Sequence, residues 1–320
     1  MKISFLSKLF KRTKRKGASC VLSFANNGIN FAQFKYVAGR PQLLTFAFHP
    51  VEGMGLSGIT PVALEKICKE LHMDNLQFMT LLAPGEYQML QVEAPNVPDA
   101  EMKAAIRWSI KDMLSYHVDD AILDILFIPA EQSGSERKKS LYVVVASTEL
   151  VKKRTALFEH AHLSLGVIDI PEMAQRNIAK LFEQEGRALA MLAFDENGCL
   201  LTFTGNGELY MARRIEISAG QLQDANETIR QQYQDRLELE LQRSIDHFDR
   251  QFKHLTVKRM LVSAPQQLGL LEKLADNLDL PVEKLELSEV MDLGSIPERV
   301  GEESMVYALH TLGAALRQEG

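Results

Sequence analysis

The chain has 320 residues, and 46% of them are hydrophobic, which allows a sizeable core and excludes wholesale disorder. Its three cysteines are far apart and form no CxxC or Cys/His spacing, which excludes a disulfide framework and a zinc site. The net charge is −6, with +7 in the first sixteen residues and −13 in the rest, which argues against a nucleic-acid partner. No apolar run reaches transmembrane length and no signal-peptide h-region is present, so the sequence predicts a cytoplasmic protein.

The first residues, 1–17, form a basic tip. Ile3, Phe5, Leu6, Leu9 and Phe10 precede the basic cluster, a pattern that allows a short amphipathic helix on anionic lipid. Weak membrane contact through residues 1–16 is therefore one interpretation. The other is a frayed leader that stays in water.

Two strand–turn–strand units stand out along the chain. Residues 19–37 contain the turn Ala25-Asn26-Asn27-Gly28, and residues 189–204 contain Asp195-Glu196-Asn197-Gly198; Asn-Gly is a strong hairpin signal. The remaining predicted elements, in chain order, are a strand at 43–48, a helix at 61–73, strands at 78–83 and 87–92, a helix at 99–115, strands at 121–129 and 141–146, a helix at 148–163, a strand at 166–170, a helix at 171–185, a strand at 208–217, the longest helix at 224–254, a strand at 257–263, a helix at 266–278, a strand at 282–287 and a closing helix at 303–317.

The predicted helix at 99–115 carries the only tryptophan. Asp99 is a suitable N-cap. One helical face collects Met102, Ala105, Ile106, Ser109, Ile110 and Met113. At about 100° per residue, Trp108 lies almost opposite this stripe, so a second side of the helix carries a large apolar side chain that favours burial. Trp108 either packs against a neighbouring domain of the same chain or lines a groove for a partner.

Five segments, taken in order, carry a resemblance to a known family: PDAEMKAAIRWSIKDML with VDDAILDI, LELELQRSIDHFDRQF, KRMLVSAPQQLGLLEKLADNLDLPVE and YALHTLGAALR. With the duplicated hairpins, they resemble the PilM-like proteins of type IV pilus assembly, most closely the MshI-type proteins of mannose-sensitive haemagglutinin (MSHA) pilus systems. The resemblance implies an α/β, actin-like (ribonuclease H-like) two-lobed fold with an inserted α+β subdomain in the first lobe. The implied segments are 18–77 for the start of the first lobe, 78–170 for the inserted subdomain and 171–320 for the remainder of both lobes.

The loops that hold nucleotide in the family can be compared position by position. In the first loop the usual acid is replaced by Ser23 and the first glycine by Ala25, followed by Asn26, Asn27 and Gly28. In the second loop the acid is replaced by Ala193 and the glycine by Asp195, with Asn197 and Gly198 after it. The third, glycine-rich turn falls on Ala264 and lacks its glycines. The resemblance therefore implies a degenerate site with no cofactor, and ATP with magnesium only if the cleft still functions.

A shifted alignment is the alternative. If the loops are displaced by one or two residues, Asp195 is a metal ligand and the site is intact. The chain contains no GxSxG, HExxH, GxxxxGK[ST] or GxGxxG motif, so the sequence offers no catalytic residue.

The favoured interpretation is a cytoplasmic scaffold, a pseudo-ATPase, held at the inner membrane through its partners. By the resemblance it would grip the cytoplasmic tail of a PilN-like single-span inner-membrane protein and contact other components of the pilus machine. In the family that groove lies between the first lobe and the inserted subdomain, and Arg107 and Trp108 are the candidate groove residues. The alternative is an active actin-like ATPase that drives or regulates pilus assembly. A membrane tether like FtsA is less favoured, because the sequence ends directly after its last predicted helix.

Overall fold

The computed structural model describes residues 19–51, 59–73, 76–129, 139–294 and 302–317, which form two five-stranded sheets and one three-stranded sheet. The basic tip and most of the 131–139 loop lie outside these ranges. The first sheet contains β1 (Ser19–Ala25), β2 (Gly28–Val37), β3 (Arg40–Pro50), β4 (Gln77–Leu81) and β8 (Ser164–Asp169). The second contains β9 (Ala188–Asp195), β10 (Gly198–Gly205), β11 (Glu208–Ile215), β12 (Val257–Ser263) and β13 (Val282–Lys284). The small sheet contains β5 (Tyr87–Glu93), β6 (Ala121–Phe127) and β7 (Ser140–Ser147).

The helices connect and cover these sheets. They are α1 (Pro61–Glu70), α2 (Asp99–Ile110), α3 (Thr148–His160), α4 (Pro171–Phe182), α5 (Ala219–Leu222), α6 (Glu227–Gln251), α7 (Leu270–Asn277), α8 (Glu302–Tyr307) and α9 (Leu309–Ala315). The predicted helix at 266–278 is interrupted at Gly269, whose φ of 55° lies in the left-handed region, so a 3-10 turn precedes α7. In the described part of the chain, every helix is too short or too polar to cross a bilayer.

The two large sheets share one strand order, which confirms the predicted duplication. The orders are β3-β2-β1-β4-β8 and β11-β10-β9-β12-β13. In each, three strands joined by tight turns pair antiparallel, and two later strands, reached through helices, pair parallel. Each sheet forms the centre of one lobe.

Two helices cross between the lobes. α4 follows the first sheet but packs on β9, β10 and β11, whereas α9 follows the second sheet and packs on β1, β2 and β4. The two helices also pack on each other, and Gly313 lies at their contact. A Cβ at Gly313 would stand 2.2 Å from the carbonyl oxygen of Ala174, so the crossing admits only glycine without backbone movement. The exchange of helices joins the two lobes into one body.

The small sheet forms the inserted subdomain. One of its faces packs against α2 through Met102, Ile106 and Ile110. Its other face, which includes Tyr142 and Val144, joins the main core. The insert is shorter than the predicted 78–170 segment, because β4 and β8 at the ends of that segment pair within the first sheet. The turn between β4 and β5 therefore links two sheets.

The helix α2 differs from its prediction in three respects. Pro98 occupies the N-cap position and Asp99 is the first helical residue, so Asp99 makes no cap. The α-helix ends at Ile110 and a 3-10 turn follows, which moves Met113 off the buried stripe and leaves it 49% exposed. Trp108 is 73% exposed with the Lys111 ammonium 5.2 Å from its ring centroid, so the prediction that it packs against a neighbouring domain was wrong.

The cleft between the lobes as candidate functional site

Both predicted hairpin turns lie at the cleft between the lobes. The parallel strands β1, β4 and β8 end at one edge of the first sheet, and β9, β12 and β13 end at one edge of the second, the place where α/β sheets bind ligands. The backbone N–H of Asn26 in the first turn donates to the Oε2 atom of Glu196 in the second, at 2.8 Å. A contact between residues 170 positions apart thus links the two turns directly.

The strand that leads into the first turn is held by a buried hydrogen bond, and the turn itself is held by close packing. Ser23 is buried, and its hydroxyl lies 2.6 Å from that of Thr311 on α9. Ala25 ends β1, Asn26 and Asn27 are exposed, and a Cβ at Gly28 would stand 2.4 Å from a backbone oxygen. Gly28 is needed because the backbone of β3 passes too close to leave room for a side chain. The glycine therefore serves the packing of the turn.

The second turn is held by an ion pair. Both carboxylate oxygens of Asp195 accept hydrogen bonds from the Arg214 guanidinium on β11, and one also accepts the Asn197 N–H at 2.9 Å. Burial acts to lower the pKa of Arg214, but the Asp195 carboxylate outweighs it and raises that pKa. Ala193 is fully buried, and Gly198 pairs with Asp195 where β10 begins. Asp195 is therefore already neutralised by a cation of its own lobe.

The third predicted loop borders a cavity of about 370 Å³. Ala264 lines it at the ends of β12 and β13, and α8 and α9 form the opposite wall. The lining is largely aliphatic, with Leu285, Met305 and Leu309 among its members.

Two polar groups at the cleft were missed by sequence reasoning. Asp169 ends β8, is buried and pairs with Arg317, which follows α9. Its one signal was its place at the end of a predicted strand, directly ahead of Ile170 and Pro171. Arg214 gave no signal, because nothing in its neighbourhood marks it as the partner of Asp195. Within the described ranges, no cluster of three or more histidine, cysteine or carboxylate side chains could hold a metal ion.

A buried polar pair lies beneath the cleft. The Nε2 atom of His310 on α9 is 3.0 Å from Oε1 of Gln175 on α4. Gln175 Nε2 donates to the Met191 and Leu200 carbonyl oxygens at 2.8 and 3.1 Å, so its Oε1 is left to accept from His310. Burial lowers the pKa of His310 to about 4. The imidazole is therefore neutral and donates its Nε2 proton.

Arg107 and Trp108 do not lie in the seam between the first lobe and the insert. Arg107 donates to the Val118 and Ala121 carbonyl oxygens at 2.6 and 3.0 Å, so it stabilises the turn ahead of β6. Trp108 lies on the outer side of α2, which covers the face of the small sheet that points away from the main core.

No family model matches the chain, and no curated protein matches its sequence. Among solved structures, a chain of the PilM–PilN type IV pilus biogenesis complex aligns with a TM-score of 0.73 at 19% identity, covering 94% of this chain and 98% of that chain. The fold is actin-like. The cytoplasmic domain of EpsL, an inner-membrane component of the type II secretion system of Vibrio cholerae, aligns with a TM-score of 0.49 at 12% identity, covering 94% and 96%.

An actin-like fold implies a nucleotide between the lobes, and the contacts in the cleft can be compared with that expectation. The Asn26 amide, a donor suited to a phosphate oxygen, is taken by Glu196. Asp195 is engaged by Arg214, and Ser23 by Thr311. In this structure all three groups are therefore engaged by other groups of the protein.

Proposed function

We propose that this protein is an actin-like docking scaffold on the cytoplasmic side of a type IV pilus machine of the MSHA type. In this proposal it holds the cytoplasmic tail of a PilN-like single-span inner-membrane protein, and through it lies at the inner membrane. The fold of the PilM–PilN chain and the motifs quoted above support the pilus assignment. The contact between Asn26 and Glu196 supports a scaffold that does not use nucleotide.

The reason is electrostatic. Phosphate binding at a hairpin turn needs free backbone N–H groups and either a metal ion or cations to offset the charge. Here the protein's own Glu196 carboxylate occupies the position of a phosphate, with its Oε2 atom 2.8 Å from the backbone nitrogen of Asn26. A triphosphate would have to displace it or lie beside it, and like charges at a few ångströms repel. The nearby cation, Arg214, is already paired with Asp195.

Isothermal titration calorimetry with two ligands tests the proposal. A synthetic peptide of the cytoplasmic segment of the PilN-like partner should bind, whereas Mg-ATP should show no sub-millimolar affinity. A scrambled peptide of the same composition is the control. Absence of peptide binding to folded protein would count against the scaffold, and sub-millimolar Mg-ATP binding would contradict the degenerate cleft.

An active ATPase is the second candidate, and the cavity beside Ala264 favours it. That cavity lies at the carboxyl ends of β12 and β13, where α/β folds bind nucleotides. Under this reading the protein would carry co-purified nucleotide and release phosphate from ATP. If Asp195 were the shifted metal ligand, Asp195→Asn would lower that turnover, and Asp249→Asn on the outer face of α6 would leave it unchanged.

A further inference from the structure

The chain passes between the two lobes twice. The first passage, at 169–171, leads from β8 of the first sheet to α4, which packs on the second sheet. The second leads from β13 of the second sheet to α9, which packs on the first sheet. Domain rotations are absorbed by a few residues at such passages, so the angle between the lobes changes only if the backbone there changes.

The first passage has little backbone freedom. Pro171 is locked in φ by its ring, and Ile170 is 3% exposed at the N-cap of α4. The Asp169 carboxylate accepts the Ile170 backbone N–H at 2.9 Å and pairs with Arg317. A change in the angle between the lobes would therefore fall mainly on the second passage.

The second passage contains the irregular segment 285–294, which is attached to both lobes. At its start the Leu285 backbone N–H donates to the Val262 carbonyl oxygen of β12 at 2.9 Å. Near its end Asp292 exchanges two backbone hydrogen bonds with β3, and the one donated by the Leu43 N–H measures 2.8 Å. Only a few residues therefore separate an attachment to the second sheet from an attachment to the first.

Arg40 holds the residues between these two attachments. It begins β3 in the first lobe, directly after the tight turn that follows β2. Its Nη2 atom donates to the carbonyl oxygens of Ser288, Glu289 and Met291 at 2.9, 3.3 and 3.4 Å. A guanidinium presents its N–H donors in a rigid plane, so one side chain can bind several carbonyl groups of an irregular segment. We call Arg40 together with residues 288–292 the strap.

The strap lies far from the contact between the hairpin turns. Asn26, which donates to Glu196, lies beside the Gly28 end of β2, whereas the strap lies beyond the Val37 end. The ten residues of this strand span about 30 Å. The lobes are thus tied at two separate places. The tie at the turns is one exposed hydrogen bond, so the strap contributes the larger share of polar contacts.

We propose that the strap is a conformational lock that fixes the angle between the two lobes, with Arg40 as the residue that closes it. Without Arg40, three carbonyl oxygens lose a charged donor, and the backbone between Leu285 and Asp292 becomes free to change its dihedral angles. A ligand or partner that alters the lobe angle must therefore release Arg40 first. Arg40 is exposed, so such a partner can reach it. The inference does not depend on the proposed function.

Double electron–electron resonance between one spin label on each lobe tests the lock. Val62→Cys on α1 and Leu239→Cys on α6 supply the labelling sites, because these side chains are 76% and 48% exposed. The three native cysteines are buried and escape labelling. The labelled protein should give one narrow distance peak, and Arg40→Ala should broaden it at least twofold. Arg236→Ala, at an exposed position on α6, is the matched control and should leave the peak unchanged.

Hydrogen exchange supplies a second measurement. The backbone amides of Leu43 and Asp292 should exchange at least tenfold faster in Arg40→Ala than in the unaltered protein. Arg40→Lys should give intermediate values of both measurements, because an ammonium reaches fewer carbonyl oxygens, and it replaces the alanine variant if circular dichroism shows that one to be unfolded. A distance peak as narrow in the Arg40 variants as in Arg236→Ala would overturn the proposal. A broad peak in the unaltered protein would overturn it as well.

Discussion

Replacing Arg154 with alanine should lower the free energy of unfolding by about 3–5 kcal/mol, the usual cost of breaking a buried ion pair from one side. The Arg154 side chain, on α3, is 1% exposed. Its Nη2 atom donates to both Glu86 oxygens at 2.8 and 2.7 Å, and its Nη1 atom donates to the Leu81 carbonyl at 3.0 Å. The Phe24 ring lies 4.8 Å from the guanidinium carbon. The variant would leave a cavity, a carbonyl without its donor and a carboxylate without its cation.

Urea denaturation followed by circular dichroism measures this loss, and the neighbouring residue provides the control. Lys153 pairs with Glu149 one turn away, but both side chains are about three-quarters exposed, at 74% and 77%. Such exposed pairs are screened by solvent and contribute little, so Lys153→Ala should change stability little. A double-mutant cycle of Arg154→Ala with Glu86→Gln would isolate the pair energy. Equal losses of unfolding free energy in Arg154→Ala and Lys153→Ala would show that the buried Arg154 pair stabilises the fold no more than the exposed Lys153 pair does.

His310 should make the protein less stable in mild acid. Burial lowers the pKa of His310 to about 4 from the ordinary 6.5. Between these pH values the unfolded chain binds a proton that the folded chain does not, so stability falls as pH decreases. A shift of one pKa unit corresponds to about 1.4 kcal/mol, so the contribution lost by pH 4 is about 3 kcal/mol. Above pH 6.5 the protein keeps the full stabilising contribution of the neutral His310 side chain.

The contribution of His310 can be separated from that of the carboxylates by difference. His310→Gln retains an amide donor for Gln175 but does not titrate, so its stability should fall by about 2–3 kcal/mol less than that of the unaltered protein between pH 7.5 and pH 4.5. His247→Gln, at an exposed position on α6, should preserve the original pH dependence. Parallel pH profiles for the unaltered protein and His310→Gln would contradict a neutral imidazole beneath the cleft.

Much of the fold was accessible from sequence because its signals are local. The Asn-Gly turns placed both hairpins, and β1 with β2 and β9 with β10 pair across them as predicted. The apolar spacing placed α6, whose Leu237, Leu241 and Phe248 are buried. The duplicated layout follows from such short-range patterns repeated twice along the chain.

The candidate site was less accessible. The resemblance directs attention to Ser23, Ala25 and Ala193, but the groups that engage their neighbours cannot be found from sequence. Glu196 reaches Asn26 only because the lobes bring two turns together. Arg214 reaches Asp195 only because β10 pairs with β9 and β11 then pairs with β10.

The sequence by itself determined most of the strands and helices and the duplicated layout, because each of these depends on neighbouring residues. Only the tertiary structure decided that Trp108 faces solvent and that β4 and β5 belong to different sheets. Sequence periodicity shows which side of a helix or strand is apolar, but it does not show which other element packs against that side. The polar contacts of the cleft have the same origin, since they join residues far apart in sequence.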